Sequence, residues 1–184
     1  MSNQVHYARL QSPVGPLLLA ATGKGLCCLH FDRGNLPQPG RGEIWIESQA
    51  TLRPYTEQLL AYFRGQRRDF TFELDLKGTP FQKKCWEALR RIPYGATCSY
   101  ADLAREIGSP RAFRAVGQAN HNNPVAIVVP CHRVVGADGS LTGYGGGMEI
   151  KEKLLRLEGA AIQPTLEFAD KPVKQRKLRR VGGV

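Results

Sequence analysis

Apolar and polar positions alternate weakly over residues 4–10 and again over 16–22. Between them Ser12-Pro13-Val14-Gly15-Pro16 is turn chemistry, so the chain opens with a predicted hairpin. Residues 25–31 read as a third strand, and residues 32–42, rich in Gly and Pro, as a loop. From Arg53 to Phe63, Leu59, Leu60 and Phe63 fall at helical spacing, with Gly65 as a stop signal. Phe70-Thr71-Phe72-Glu73-Leu74 alternates like one more strand. The pattern thus predicts a small antiparallel sheet with one helix over residues 1–77, and Lys77-Gly78-Thr79-Pro80 marks a boundary.

Beyond that boundary the periodicity turns helical. Phe81, Cys85, Trp86 and Leu89 share one face of a predicted helix over 81–91, which Ile92-Pro93-Tyr94-Gly95 breaks. Ser99 is an N-cap for a helix over 100–107. Gly108-Ser109-Pro110 turns the chain, with Ser109 as cap and Pro110 at the first helical position. A second helix follows from Arg111 to Asn120, completing a helix–turn–helix. After Asn122-Asn123-Pro124, the apolar run from Val128 to Val135 reads as buried strand. A hairpin turn at 137–140, a glycine-rich loop over 141–147 and a last helix over 149–157 complete a second domain, residues 78–160. Ile150, Leu154 and Leu157 face inward on that helix. The fold class is α+β, and residues 161–184 form a basic tail without regular pattern.

Composition narrows the function. A window of eighteen apolar residues is lacking, and the first residues do not read as a secretory signal, so a cytoplasmic location is expected. Five cysteines without a CxxC pair predict reduced thiols. His6, Cys27, Cys28 and His30 are weak zinc candidates. Adjacent cysteines on a strand point to opposite faces, so strand packing is the preferred reading and no metal is expected. The net charge of +10 favours a polyanionic partner, above all nucleic acid. Residues 1–77 hold 9 basic and 7 acidic side chains, against 11 and 7 over 78–160 and 6 and 2 over 161–184, so the excess lies in the second domain and the tail.

One position departs from the pattern. Cys131 and His132 stand side by side within the apolar run, directly after Pro130, which removes a backbone donor and ends strand pairing. A lone cysteine is more often packing than chemistry. As a nucleophile, Cys131 needs a base, and neighbours on a strand point apart. Either the backbone turns sharply at Pro130-Cys131 or a water bridges thiol and imidazole, and the imidazole needs an orienting partner. Asn123 is placed to tie two backbone segments together through its amide. Gly143, Gly145, Gly146 and Gly147 around Tyr144 permit close approach to a flat ligand. A phosphate loop is the rival reading, but the Walker lysine is missing. The helix over 111–120 carries Ala112, Ala115, Gly117 and Ala119 with Arg114. It lacks the long polar side chains with which a helix–turn–helix usually reads bases.

Pro130-Cys131-His132-Arg133-Val134 resembles the signature of the O6-alkylguanine-DNA alkyltransferases (methylated-DNA–protein-cysteine methyltransferases). Arg114-Ala115-Val116-Gly117, Asn123-Pro124, Thr142-Gly143-Tyr144 and Lys151-x-x-Leu154-Leu155-x-x-Glu158 follow that family's order and spacing. The resemblance is strong over 79–159, weaker over the first 77 residues and absent from the tail. It implies a ribonuclease H-like first domain and a winged-helix-like second one. It implies transfer of the alkyl group of O6-alkylguanine, and of O4-alkylthymine, in double-stranded DNA to Cys131. That transfer is irreversible, with one turnover per molecule, no cofactor and a monomeric protein. His132 becomes a water-mediated base, Glu158 its orienting partner, Tyr100 a guanine contact and proton donor, and Asn123 part of the active-site turn. Arg114 becomes a minor-groove finger replacing a flipped base, on a DNA-binding helix with Arg111, Ala115, Gly117 and Asn120. Val134, Tyr144 and Gly145 become the substrate pocket. The target atom is hidden in stacked duplex, so the base must be flipped out. Two departures stand out: Phe113 replaces the alanine usual before the arginine, and Gly145-Gly146 lacks a bulky side chain, which is expected to widen the pocket. The alternatives are a non-catalytic lesion-binding module and a Cys-His hydrolase.

Overall fold

In a computed structural model, residues 4–32, 34, 40 and 42–161 are described. The predicted first turn is closed by Ser12, whose Oγ donates to the Gly15 carbonyl at 2.5 Å, with Gly15 at φ +98°. It joins β1 (Gln4–Leu10) to β2 (Leu17–Thr22), which pairs on its other edge with β3 (Gly25–Phe31), both antiparallel. Leu17 to Ala21 are all buried, as befits a strand covered on both faces. The sheet is not purely antiparallel as predicted. A fourth strand, β4 (Ile44–Glu47), lies parallel to β1 and gives the order β3-β2-β1-β4. The Gly/Pro-rich stretch leading to it lies mostly outside the described residues.

Helix α1 (Gln49–Phe63) starts four residues before the predicted Arg53. Ser48 Oγ accepts from the Thr51 amide at 3.3 Å, and the chain accommodates Pro54 inside the helix rather than beginning there. Leu52, Leu59, Tyr62 and Phe63 are its buried residues, and Gly65 follows at φ +70°. Residues 70–74 do not form the predicted strand. Only Leu74 bridges to Leu26, while Phe70, Phe72 and Leu74 pack against the core, so their alternation reports burial without a ladder.

Thr79 and Gln82 form a capping box with Pro80 at the first position of α2 (Pro80–Arg90). Trp86 Nε1 donates to the Ala119 carbonyl at 2.9 Å, fixing α2 to the helix that carries Ala119. The short β5 (Cys98–Ser99) leads into α3 (Tyr100–Glu106), capped by Ser99 and Asp102. The second helix of the pair, α4 (Phe113–His121), begins later than predicted. Ser109 accepts through its carbonyl from the Ala112 amide at 2.8 Å, a turn that carries Pro110 outside the helix, and no side chain caps α4.

The apolar run over 128–135 is buried but is not the predicted strand. Ile127 sits at φ +72°, residues 126–128 turn, and Cys131–Arg133 is a single 3-10 turn. Only β6 (Val134–Val135) is extended, pairing parallel with β5. Burial selects apolar residues in any enclosed segment, so an apolar run does not by itself distinguish strand from turn. The turn at 137–140 is present, with Gly139 at φ +79°, but no hairpin follows because residues 141–144 form no strand to pair with β6. Helix α5 (Met148–Leu157) ends at Glu158. One hydrophobic core runs across both halves, from Leu19 and Leu59 to Trp86, Val129 and Leu154. Leu29 of β3 exchanges backbone bonds with Pro124 and Ala126, so the sheet braces the segment leading to Cys131.

Candidate active site

The Asn123 side chain buttresses the turn that carries Cys131. Asn123 Nδ2 donates to the Val129 carbonyl at 2.7 Å and lies 3.1 Å from Cys131 Sγ, while Oδ1 accepts from the Val125 amide at 3.0 Å. With Pro130 unable to donate, this amide supplies the bonding that a strand ladder would otherwise provide. The backbone therefore turns sharply at Pro130-Cys131, which frees neighbouring side chains from strand alternation. Cys131 is 9 % exposed and His132 fully buried.

His132 Nε2 lies 2.9 Å from Glu158 Oε1. Glu158 collects further donors from three directions. Arg133 reaches it with Nε at 2.8 Å and Nη2 at 2.9 Å, Tyr62 Oη at 2.7 Å and the Gly95 amide at 3.3 Å. Burial alone would raise the Glu158 carboxyl, but the hydrogen bonds from His132 and Arg133 outweigh it and bring it to about 2. Glu158 is thus ionised and can only accept, so Nε2 carries the imidazole proton. Nδ1 then keeps its lone pair, and it is buried without a partner among the described residues. Burial pushes His132 below its usual range and the Cys131 thiol above its own, the latter offset in part by Asn123 and the positive charge of Lys151. The resting pair is a neutral thiol beside a neutral imidazole.

Three residues of this network carried no role in the sequence reading. Arg133, within the motif, also donates to the Ile92 carbonyl at 2.6 Å and grips Glu158 through two nitrogens. Tyr62 reaches Glu158 from α1, across 96 residues of sequence, and nothing local announces it. Lys151 is fully buried, with Nζ donating to the carbonyls of Val134 at 2.6 Å and Thr142 at 2.9 Å. Burial lowers it to about 8. A signal for Lys151 did exist: Lys151, Leu154, Leu155 and Glu158 recur at i, i+3, i+4 and i+7, one helical face.

The Val134 carbonyl, a pocket candidate, is therefore tied to Lys151. Tyr100 Oη accepts from Thr142 Oγ1 at 3.3 Å, and its ring lies beside Gly117 of α4, where a Cβ would stand 3.8 Å away. The Tyr144 ring packs edge-on to Phe31 at 5.7 Å and to His132 at 6.4 Å, with its hydroxyl buried and unpaired among the described residues. Gly145 is exposed. At Gly145 a Cβ would meet nothing within 4 Å, whereas at Gly146 it would stand 2.5 Å from the Phe31 ring. The missing side chain at Gly146 makes room for Phe31.

On α4, Arg114 and Ala115 are exposed, as is Arg111 just before it, while Gly117 is half-buried. Asn120 is only 8 % exposed, packed inward with Val116 and Ala119 and so removed from the outer face where it was expected. Phe113 is 47 % exposed. Among the described residues no group of three or more His, Cys, Asp or Glu side chains is placed to hold a metal. Burial pushes the Cys27 and Cys28 thiols to about 11 and 12.

A thiol in a tight turn, an imidazole with one free nitrogen and a carboxylate fixing the other nitrogen form a nucleophile–base–orienter set. Comparison with known proteins places the chain as a whole. The family model for the DNA-binding domain of 6-O-methylguanine DNA methyltransferase matches residues 80–160, and that for its ribonuclease-like domain matches residues 5–76. The methylated-DNA–protein-cysteine methyltransferase of Methanosarcina acetivorans is 48% identical over 158 residues, 85% of this chain and 99% of its own. That of Mycobacterium tuberculosis is 47% identical over 166 residues, 90% and 99%. A crystal structure of Mycobacterium tuberculosis O6-methylguanine methyltransferase superposes with a TM-score of 0.77 at 50% identity, covering 84% of this chain and 93% of that one. A structure of that organism's OGT in complex with DNA gives 0.77 at 48%, covering 84% and 92%. The chain belongs to the methylated-DNA–protein-cysteine methyltransferase family.

Proposed function

We propose that Cys131 is the alkyl acceptor of this DNA repair methyltransferase. The protein acts on O6-alkylguanine in DNA and is consumed by its reaction. The observation that carries the assignment of the acceptor is the Glu158–His132 pair, which leaves imidazole Nδ1 as a lone-pair base beside the Cys131 turn. An intervening water relays the thiol proton to Nδ1, and the thiolate attacks the alkyl carbon on O6 in line. A sulfur–carbon bond forms, the carbon–oxygen bond breaks, and its electron pair leaves with guanine. Tyr100 donates a proton to the departing base, and the thiol proton replaces it. Charge and electrons balance, so no cofactor is required. The Glu158 carboxylate stabilises the imidazolium as it forms, in the manner of a catalytic triad.

The base reaches Cys131 by flipping out of the duplex. Helix α4 enters the minor groove, Arg114 fills the vacated stack, Arg111 binds phosphate, and Ala115 and Gly117 permit close approach. Val134, Tyr144 and Gly145 line the pocket, which admits O4-alkylthymine by the same displacement. One monomer serves one lesion. The test is a titration of fixed protein with duplex carrying one labelled O6-methylguanine. Label in protein should plateau at one equivalent and stay at zero for Cys131→Ser. Continued turnover, or label retained by Cys131→Ser, would refute the assignment.

A further inference from the structure

The first turn of α4 presents two long side chains between two alanines, Ala112 and Ala115. One is Arg114. The other is Phe113, 47 % exposed, one of two large apolar side chains so placed among the described residues; the other, Ile44, lies in β4. A single exposed apolar residue is ordinary on a protein surface. Its setting is what singles this one out. The Arg114 guanidinium lies over the Phe113 ring, 5.8 Å from its centroid. Arg111 is exposed two residues earlier, α4 contains no acidic residue, and no side chain caps its first turn. An aromatic ring in a basic surface cannot bind phosphate. It can press on deoxyribose or stack on a base, and such stacking tolerates any sequence. That suits a helix without base-reading groups, since minor-groove proteins commonly insert apolar wedges between base steps.

We propose that Phe113 is a second wedge, contacting the base step next to the one that Arg114 enters. This rests on the reading of α4 as the DNA-facing helix. In the free protein the ring supports the guanidinium. When Arg114 swings into the duplex the ring is uncovered, and it is one residue away, on the same exposed first turn. Phe113 thereby adds affinity for the distorted duplex without adding sequence preference.

The test uses the full chain with Cys131→Ser, so that complexes do not react. Binding is measured to a duplex carrying O6-methylguanine with 2-aminopurine as its 5′ or 3′ neighbour. Adding Phe113→Ala should weaken binding about tenfold, the loss of one base–aromatic contact. It should also diminish the 2-aminopurine response at one neighbour, and Phe113→Trp should restore both. Binding within twofold, with an unchanged 2-aminopurine response, would overturn the proposal. Arg114→Ala separates the two levels. If it too binds within twofold, α4 does not face DNA and the underlying reading fails. If Arg114→Ala is weak while Phe113→Ala is normal, only the second wedge is lost.

Discussion

Glu158 is the residue on which the site depends. Its carboxylate accepts from His132, Arg133, Tyr62 and Gly95, with its side chain fully buried. Replacing it by glutamine leaves the Arg133 charge buried and uncompensated, a loss of about 3–5 kcal/mol by analogy with other broken buried pairs. Glu158→Gln should show that loss in denaturant unfolding and a transfer rate at least about a hundredfold lower, since a base without its orienter is misplaced. The sign of the pH dependence follows from the same groups. Glu158 is depressed from 4.5 to about 2, so its contribution is present above pH 4.5 and lost as pH falls toward 2. His132 is depressed below 6.5, so the unfolded chain binds more protons there and stability declines as pH falls below 6.5. Unfolding free energy should therefore be lower at pH 5 than at pH 7 and lower again near pH 3. A flat profile across that range would contradict the protonation states assigned here.

At the scale of elements, α5 holds the site together as much as it contributes to it. Lys151 ties the Val134 carbonyl, just past the reactive turn, to the Thr142 carbonyl, at the start of the loop around Tyr144. Lys151→Met should strand both carbonyls, destabilise the protein by about 1–3 kcal/mol and raise amide exchange over 142–147. Exchange unchanged in that loop would remove Lys151 from this role. What the sequence made legible divides at this scale too. The first hairpin, α2 and α3 were readable because their determinants are local: turn residues at 12–16, the apolar face over 81–89 closed by Pro93-Tyr94-Gly95, and the Ser99 cap. Strand β4 was not, because its four residues pair in parallel with a strand forty positions earlier. The run over 128–135 misled for a related reason. Its enclosure was readable, but the agent that turns it, the Asn123 amide, comes from outside the run. The sequence reading of Asn123 as a clamp between backbone segments matches its contacts, whereas Asn120 could not be oriented without knowing where α4 begins.

The whole molecule joins the two halves through the site. Tyr62 on α1 donates to Glu158, and β3 supplies both the backbone bracing at Leu29 and the Phe31 ring beside Tyr144. Tyr62→Phe keeps the ring and removes only the bond, so it should cost about 1.5–3 kcal/mol, the range for a hydrogen bond to a charged group. It should also slow transfer, and an unaltered rate would confine Tyr62 to stability. The net charge of +10 should make affinity for duplex fall steeply with salt. In the proposed transfer one atom is decisive, Cys131 Sγ. The most direct measurement is intact-protein and peptide mass spectrometry after mixing the protein with a duplex carrying one O6-methylguanine. A single methyl group should be added, on Cys131, at one per molecule with no further turnover. Tight binding without an adduct, or an adduct on another cysteine, would contradict that transfer.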